Sequence, residues 1–132
     1  MMGYAVTVGI CVKNGSKSIL RTLNSIGVQN FPRNHMELVI VDDGSDDDTL
    51  AIVRQWALQT DLNVRILHFN WQGIAQSRNA VARNAEGKYI VWVDSDMVLS
   101  ENFIREQYDF MENHPKVGIA KGIYGIISDA NL

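Results

Sequence analysis

Apolar residues fall into short runs separated by polar turns, and the period of the pattern changes from one run to the next. Tyr4 to Val12 carries Ala5, Val6, Val8, Ile10 and Val12, the near-continuous apolar reading of a buried strand. Asn14-Gly15-Ser16 breaks it. Ile19, Leu20, Leu23 and Ile26 then recur at helical spacing, with Ser16 as candidate N-cap. After Pro32, Glu37 to Val41 reads as a second buried strand. An acidic turn, Asp42 to Asp48, leads into a helix carrying Leu50, Val53, Trp56 and Ala57. The acids at 46 to 48 suit the positive end of that helix. Val64 to Phe69 reads as a third strand, Gly73 to Ala85 as a helix stopped by Gly87, and Lys88 to Val93 as a fourth strand. A helix from about Glu101 to Asn113 stops near Pro115, and Val117 to Ile127 reads as a fifth strand.

Strand and helix thus alternate, which predicts an α/β domain: a mostly parallel sheet sandwiched by helices, in one domain over residues 1–132. Ligands of such sheets bind beyond the carboxyl ends of the strands. The polar segments Lys13-Asn14-Gly15, Asp42 to Ser45 and Asp94-Ser95-Asp96 fall at those ends, so three loops at one edge are expected to form the site.

Composition narrows this further. The chain has 132 residues, 46% of them hydrophobic, enough for a proper core. Its net charge of -3 gives no electrostatic reason to expect nucleic acid as partner. No apolar run approaches the roughly 20 residues needed to cross a bilayer, and no secretory leader pattern opens the chain. A lone Cys11 excludes an internal disulfide and fits a reducing compartment. The expected location is cytoplasmic, free or peripheral to the cytoplasmic face of the membrane.

Asp94 and Asp96, spaced i, i+2 beyond a buried strand, can reach one crevice while Ser95 turns away. Hard oxygen ligands of this kind suit Mg²⁺ or Mn²⁺, which keep waters and accept phosphate oxygens. On spacing alone, a turn and helix-cap pair is an equally good reading. Asp43, beside Gly44, is a candidate acceptor for a base N–H or a ribose hydroxyl, whereas Asp46, Asp47 and Asp48 read as helix caps. The run lacks the order and the closing glutamate of a calcium loop. Arg78 is a cation near the predicted crevice, although taken alone a solvated or structural arginine is the better reading. His35, His68 and His114 lack ligand spacing, Cys11 reads as a small buried hydrophobe, and Trp71 is left between lining the pocket and covering it.

Three segments in order resemble the N-terminal, donor-binding half of family 2 glycosyltransferases of the GT-A fold. They are Val6 to Asn14, Val39 to Thr49 and Gly73 to Asp96, and the likeness spans roughly residues 5 to 125. The resemblance implies an enzyme that moves a hexose from a UDP- or GDP-sugar to a glycan, lipid or protein acceptor, with inversion. It implies that Val12, Lys13 and Asn14 border the nucleobase, that Asp43 accepts a base N–H, and that Arg78 shapes the nucleotide pocket. Asp94 and Asp96 would be a D-x-D motif, Asp96 the direct ligand of Mn²⁺ or Mg²⁺ and Asp94 nearer the ribose or sugar.

Two departures from the family stand out. Cys11-Val12-Lys13-Asn14 replaces the Pro-Thr-Tyr-Asn of many members, removing a tyrosine that could lie against the base. Family catalytic domains are also considerably longer, and the absent acceptor half is expected to supply the catalytic base. The 132 residues are therefore expected to bind a nucleotide sugar but turn over poorly, and an uncovered sheet edge allows a homo-oligomer. The alternative from another class is a non-catalytic nucleotide-binding or interaction module on the same scaffold. A nucleotidyltransferase would need a Gly-rich basic loop after the first strand, and a phosphotransfer receiver an acidic pair there; neither pattern fits.

Overall fold

The computed structural model describes residues 3–123 and 125. Four strands, β1 (Tyr4–Val12), β2 (Met36–Asp43), β3 (Asn63–Phe69) and β4 (Gly87–Trp92), form one sheet in the order β3-β2-β1-β4, every pair parallel. The helices α1 (Ile19–Gly27), α2 (Thr49–Gln59), α3 (Ile74–Asn84) and α4 (Phe103–Asn113) follow the strands in turn, with a 3₁₀ turn at Arg33–His35. None of the helices among the described residues is long and apolar enough to cross a membrane.

Side chains alternate across a strand, and that alternation sorts the core into two layers. Val6, Val8, Ile10 and Val12 of β1, with Met36, Leu38 and Ile40 of β2, pack against Ile19, Leu23 and Ile26 of α1, Val53 and Trp56 of α2, and Ile104 of α4. Val39 and Val41 face the other way, onto Ala80 and Val81 of α3, joined by Cys11, Leu67, Phe69 and Ile90. Every residue of β2 is buried, as expected of a central parallel strand. Glu37 is accommodated in that strand by its partners: its carboxylate accepts from Thr7 Oγ1 (2.6 Å), the Glu86 N–H (2.7 Å) and Arg65 Nη2 (2.6 Å).

Two expectations fail. The helix expected to be capped by Ser16 starts later: Ser18 precedes its first residue and Ser16 lies in the preceding turn. The fifth strand is also absent from residues 117–123, which run as irregular chain with Ile119 and Ile123 exposed; the remainder of Val117 to Ile127, apart from Gly125, lies outside the described residues. Apolar β-branched residues form a strand only by joining a ladder, and residues 117–123 do not pair with the open outer edge of β4.

Candidate functional site

The first two loops are laced together. The Asn14 N–H donates to Ser45 Oγ (2.8 Å), the Asp46 N–H to Asn14 Oδ1 (2.7 Å), and Lys13 Nζ to the Gly44 carbonyl (2.9 Å). Asn14 takes φ 54, a left-handed conformation that asparagine tolerates better than most residues. Asp47 serves as the expected cap, accepting the Thr49 N–H at 3.0 Å; the Asp48 side chain makes no capping bond. Of the three residues expected to border a base, Val12 therefore buries its side chain in the core. Lys13 and Asn14 turn their polar atoms to the neighbouring loop.

Alternation decides which acid of the Asp42-Asp43 pair faces the site. Asp42 shares the side of Met36, Leu38 and Ile40 and lies 2.8 Å from His68 Nδ1. Asp43 faces α3. Its Oδ1 accepts the Gln72 N–H at 2.8 Å and its Oδ2 the Gly73 N–H at 2.9 Å, so the carboxylate holds the entry to α3. Each oxygen retains a second lone pair for a ligand. Gly44 follows at φ +76, where a Cβ would stand 2.7 Å from the Trp71 nitrogen; only glycine lets the two loops close so tightly.

Cys11, on the same face, marks where the charges meet. Burial pushes its thiol up to about 11; the Arg78 guanidinium opposes that rise, and the carboxylates of Asp43 and Asp94 add to it. Four elements thus bring Cys11, Asp43, Arg78 and Asp94 to one corner of the sheet. Cys11 belongs to this wall, a role that its apolar run does not reveal. Arg78 also lies over the Trp92 ring, 5.8 Å from its centroid, and with Trp92, Asp94 and Asp96 it borders a cleft of about 1050 Å³ along the outer side of β4.

The acidic turn is held by its middle residue. The Met97 N–H closes it onto the Asp94 carbonyl (3.1 Å), and the Ser95 carbonyl accepts from Ser18 Oγ (3.0 Å) and Thr22 Oγ1 (2.9 Å). With the backbone pinned at Ser95, the carboxylates of Asp94 and Asp96 on either side stay exposed. Further along, the Leu99 N–H donates to Ser25 Oγ (3.1 Å). Buried Gln29 donates to the Ser100 carbonyl (2.6 Å) and accepts from the Ile104 N–H (3.0 Å). Ser18, Thr22, Ser25 and Gln29 form a polar stripe at helical spacing that binds the segment carrying the acids to α1. Sequence reasoning missed these residues: the spacing is there to be read, but the apolar face of the same helix masks it.

Asp94 and Asp96 offer two hard oxygen donors at the cleft, and no group of three or more His, Cys, Asp or Glu among the described residues could hold a metal ion. Such a pair fits Mg²⁺ or Mn²⁺, whose remaining positions go to water and substrate phosphate, better than an all-protein metal cage.

Known proteins share this fold. The fold is GT-A: Staphylococcus aureus TarS, solved as residues 1–349 in complex with UDP, superposes with TM-score 0.76 at 31% identity, over 83% of this chain and 32% of that one. A mannosyltransferase of Pyrobaculum calidifontis, solved with GDP-Man and Mn²⁺, gives TM-score 0.67 at 34% identity, over 70% of this chain and 27% of that one. The Glycosyl transferase family 2 model matches residues 7–132, and the chain belongs to that family. Among curated relatives, TarS of Staphylococcus aureus, a poly(ribitol-phosphate) beta-N-acetylglucosaminyltransferase, is 35% identical over 86% of this chain and 20% of its own length. Glycosyltransferase GlyG of Streptococcus pneumoniae is 34% identical over 81% of this chain and 35% of its own length. The chain thus spans between a fifth and about a third of the length of these two relatives.

Proposed function

We propose that the chain is the donor-binding part of a glycosyltransferase, taking a hexose from a UDP- or GDP-sugar for transfer to a hydroxyl of a glycan, lipid or protein acceptor. The meeting of Arg78, Asp94 and Asp96 at one cleft, with Asp43 holding the entry of the helix that carries Arg78, carries this reading. In it, Asp43 accepts an N–H of the nucleobase. The backbone at Val12 and the aliphatic stem of Lys13 border the base, while Asn14 keeps their loop in place. Arg78 offsets charge on the diphosphate. Asp96, with Asp94 beside the ribose or sugar, would hold Mn²⁺ or Mg²⁺, which would supply positive charge beside the diphosphate leaving group.

The general base that deprotonates the acceptor in an inverting transfer is assigned to none of the residues described. The TarS complexes with UDP and UDP-GlcNAc, and the mannosyltransferase complex with GDP-Man and Mn²⁺, support a nucleoside diphosphate donor and a divalent cation. The proposed location is the cytoplasm, free or at the membrane face, in keeping with the single free thiol of Cys11.

Calorimetric titration of UDP and GDP, with and without Mn²⁺, tests the reading, repeated on Asp96→Asn. Metal-dependent binding of one nucleotide, lost in the variant, is the expected result. Binding that ignores both the metal and the substitution would leave a nucleotide-binding module without a metal-assisted donor site.

A further inference from the structure

Trp71 is 71% exposed, although tryptophan is among the most buried side chains on average and its burial is strongly stabilising. The other two tryptophans have work in the fold. Trp56 is buried and donates from Nε1 to Asn24 Oδ1 at 3.1 Å. Trp92 packs where a Cβ on Gly9 would touch its ring and lies under Arg78.

The indole of Trp71 is free, but its backbone is firmly held. The carbon that Gly44 lacks would stand 2.7 Å from the Trp71 nitrogen and 3.2 Å from its Cα. The two residues after it, Gln72 and Gly73, donate their N–H groups to Asp43. Phe69, two residues before it, is the register partner of Asp43. An exposed aromatic ring therefore rises from a fixed point beside the carboxylate proposed to accept the base.

The facing loop supplies no ring: Val12 is in the core, and Lys13 is tied to the Gly44 carbonyl. We infer that Trp71 is the stacking surface for the nucleobase of the donor, its indole covering the base whose N–H reaches Asp43. Every base presents a π-face, so this contact supplies affinity in a base-tolerant way and leaves discrimination to Asp43 and the loop edges. The inference rests on the donor-site reading above.

The test uses the whole chain with Mn²⁺ and two probes, UDP and inorganic pyrophosphate, the second lacking a base. Trp71→Ala is expected to weaken UDP about tenfold or more while leaving pyrophosphate unchanged, and Trp71→Tyr to restore most of the lost affinity. Being exposed, the side chain can be removed without loss of folding, which a thermal melt verifies. If wild type binds UDP and Trp71→Ala binds it equally well, the inference falls and the donor site stands. Equal loss of both probes also overturns it, since the effect would then not come from the base. No binding of UDP or GDP by wild type would overturn the donor site and the stacking role together.

Discussion

Asp42 and Asp43 are adjacent in the chain and face opposite sides of the sheet: Asp42 lies against His68 beneath the α1–α2 layer, while Asp43 holds the entry of α3 through the N–H groups of Gln72 and Gly73. Two carboxylates that look equivalent in sequence therefore do different work. One braces β2 against β3, and the other stands in the corner shared with Cys11, Arg78 and Asp94.

Nucleotide titration separates them. Asp43→Ala is expected to abolish measurable UDP or GDP binding and to lower the unfolding free energy by about 2 kcal/mol, the scale of losing charge-assisted hydrogen bonds. Asp42→Asn preserves a polar partner for His68 and is expected to leave nucleotide affinity within about threefold of wild type. Equal loss of affinity in both would mean that the sheet does not sort the pair by face.

Local signals in the sequence and long-range ones differ in what they reveal. The four strands and four helices are legible because each follows its own period between breakers, as α3 does in ending shortly before Gly87, where β4 begins. The expected fifth strand is not formed over residues 117–123, because apolar alternation alone does not say whether a segment docks on an open edge such as that of β4. Asp43, Asp94 and Asp96 can be placed at the strand ends from order alone. What sequence order does not reveal is the company each residue keeps. Glu37 sits in an apolar run, and its partners Thr7, Arg65 and Glu86 lie 28 to 49 positions away. Cys11 joins the site only through strand alternation, and Trp71 acquires meaning only once Gly44 is seen packed on its backbone.

The stripe on α1 predicts a route by which a residue far from any ligand governs the acidic turn. Gln29→Leu leaves the Ser100 carbonyl and the Ile104 N–H without their partner, a loss of about 2 to 3 kcal/mol in a urea melt. It is also expected to weaken metal-dependent nucleotide binding by loosening the segment that carries Asp94 and Asp96. Asn30→Ala removes an exposed hydrogen bond to Asn102 and should stay within about 0.5 kcal/mol of wild type. If the two variants melt alike, the lacing of this segment onto α1 is not what secures it.

Close approach at the start of β4 makes a stability prediction independent of the site. A Cβ on Gly87 would stand 2.4 Å from the Thr7 nitrogen and 2.6 Å from the Val6 carbonyl carbon. Both are backbone atoms of the strand paired with it, so neither can swing aside. Gly87→Ala is expected to cost at least about 2 kcal/mol by forcing β4 away from β1. Gly118 supplies the control, since a Cβ there would meet no atom within 4 Å: Gly118→Ala should be neutral within about 0.5 kcal/mol.

Cys11 gives a readout of the site that needs no ligand assay. Burial is the main cause that pushes its thiol up to about 11, with Asp43 and Asp94 adding to it against Arg78. The thiolate is the reactive form, so native alkylation should be slow at pH 8 and climb toward pH 11, whereas the unfolded chain reacts around the ordinary value of 9.0. The sign for stability follows from the same shift. A pKa raised in the folded state means that the folded chain holds the proton more tightly, so this contribution is complete below about 9 and is lost as pH rises through about 11. Arg78→Ala removes the cation opposing the rise and should slow alkylation further, while Asp43→Asn should speed it. Alkylation at pH 8 as fast in the native chain as in urea would mean that the Cys11 side chain is not packed between the sheet and α3.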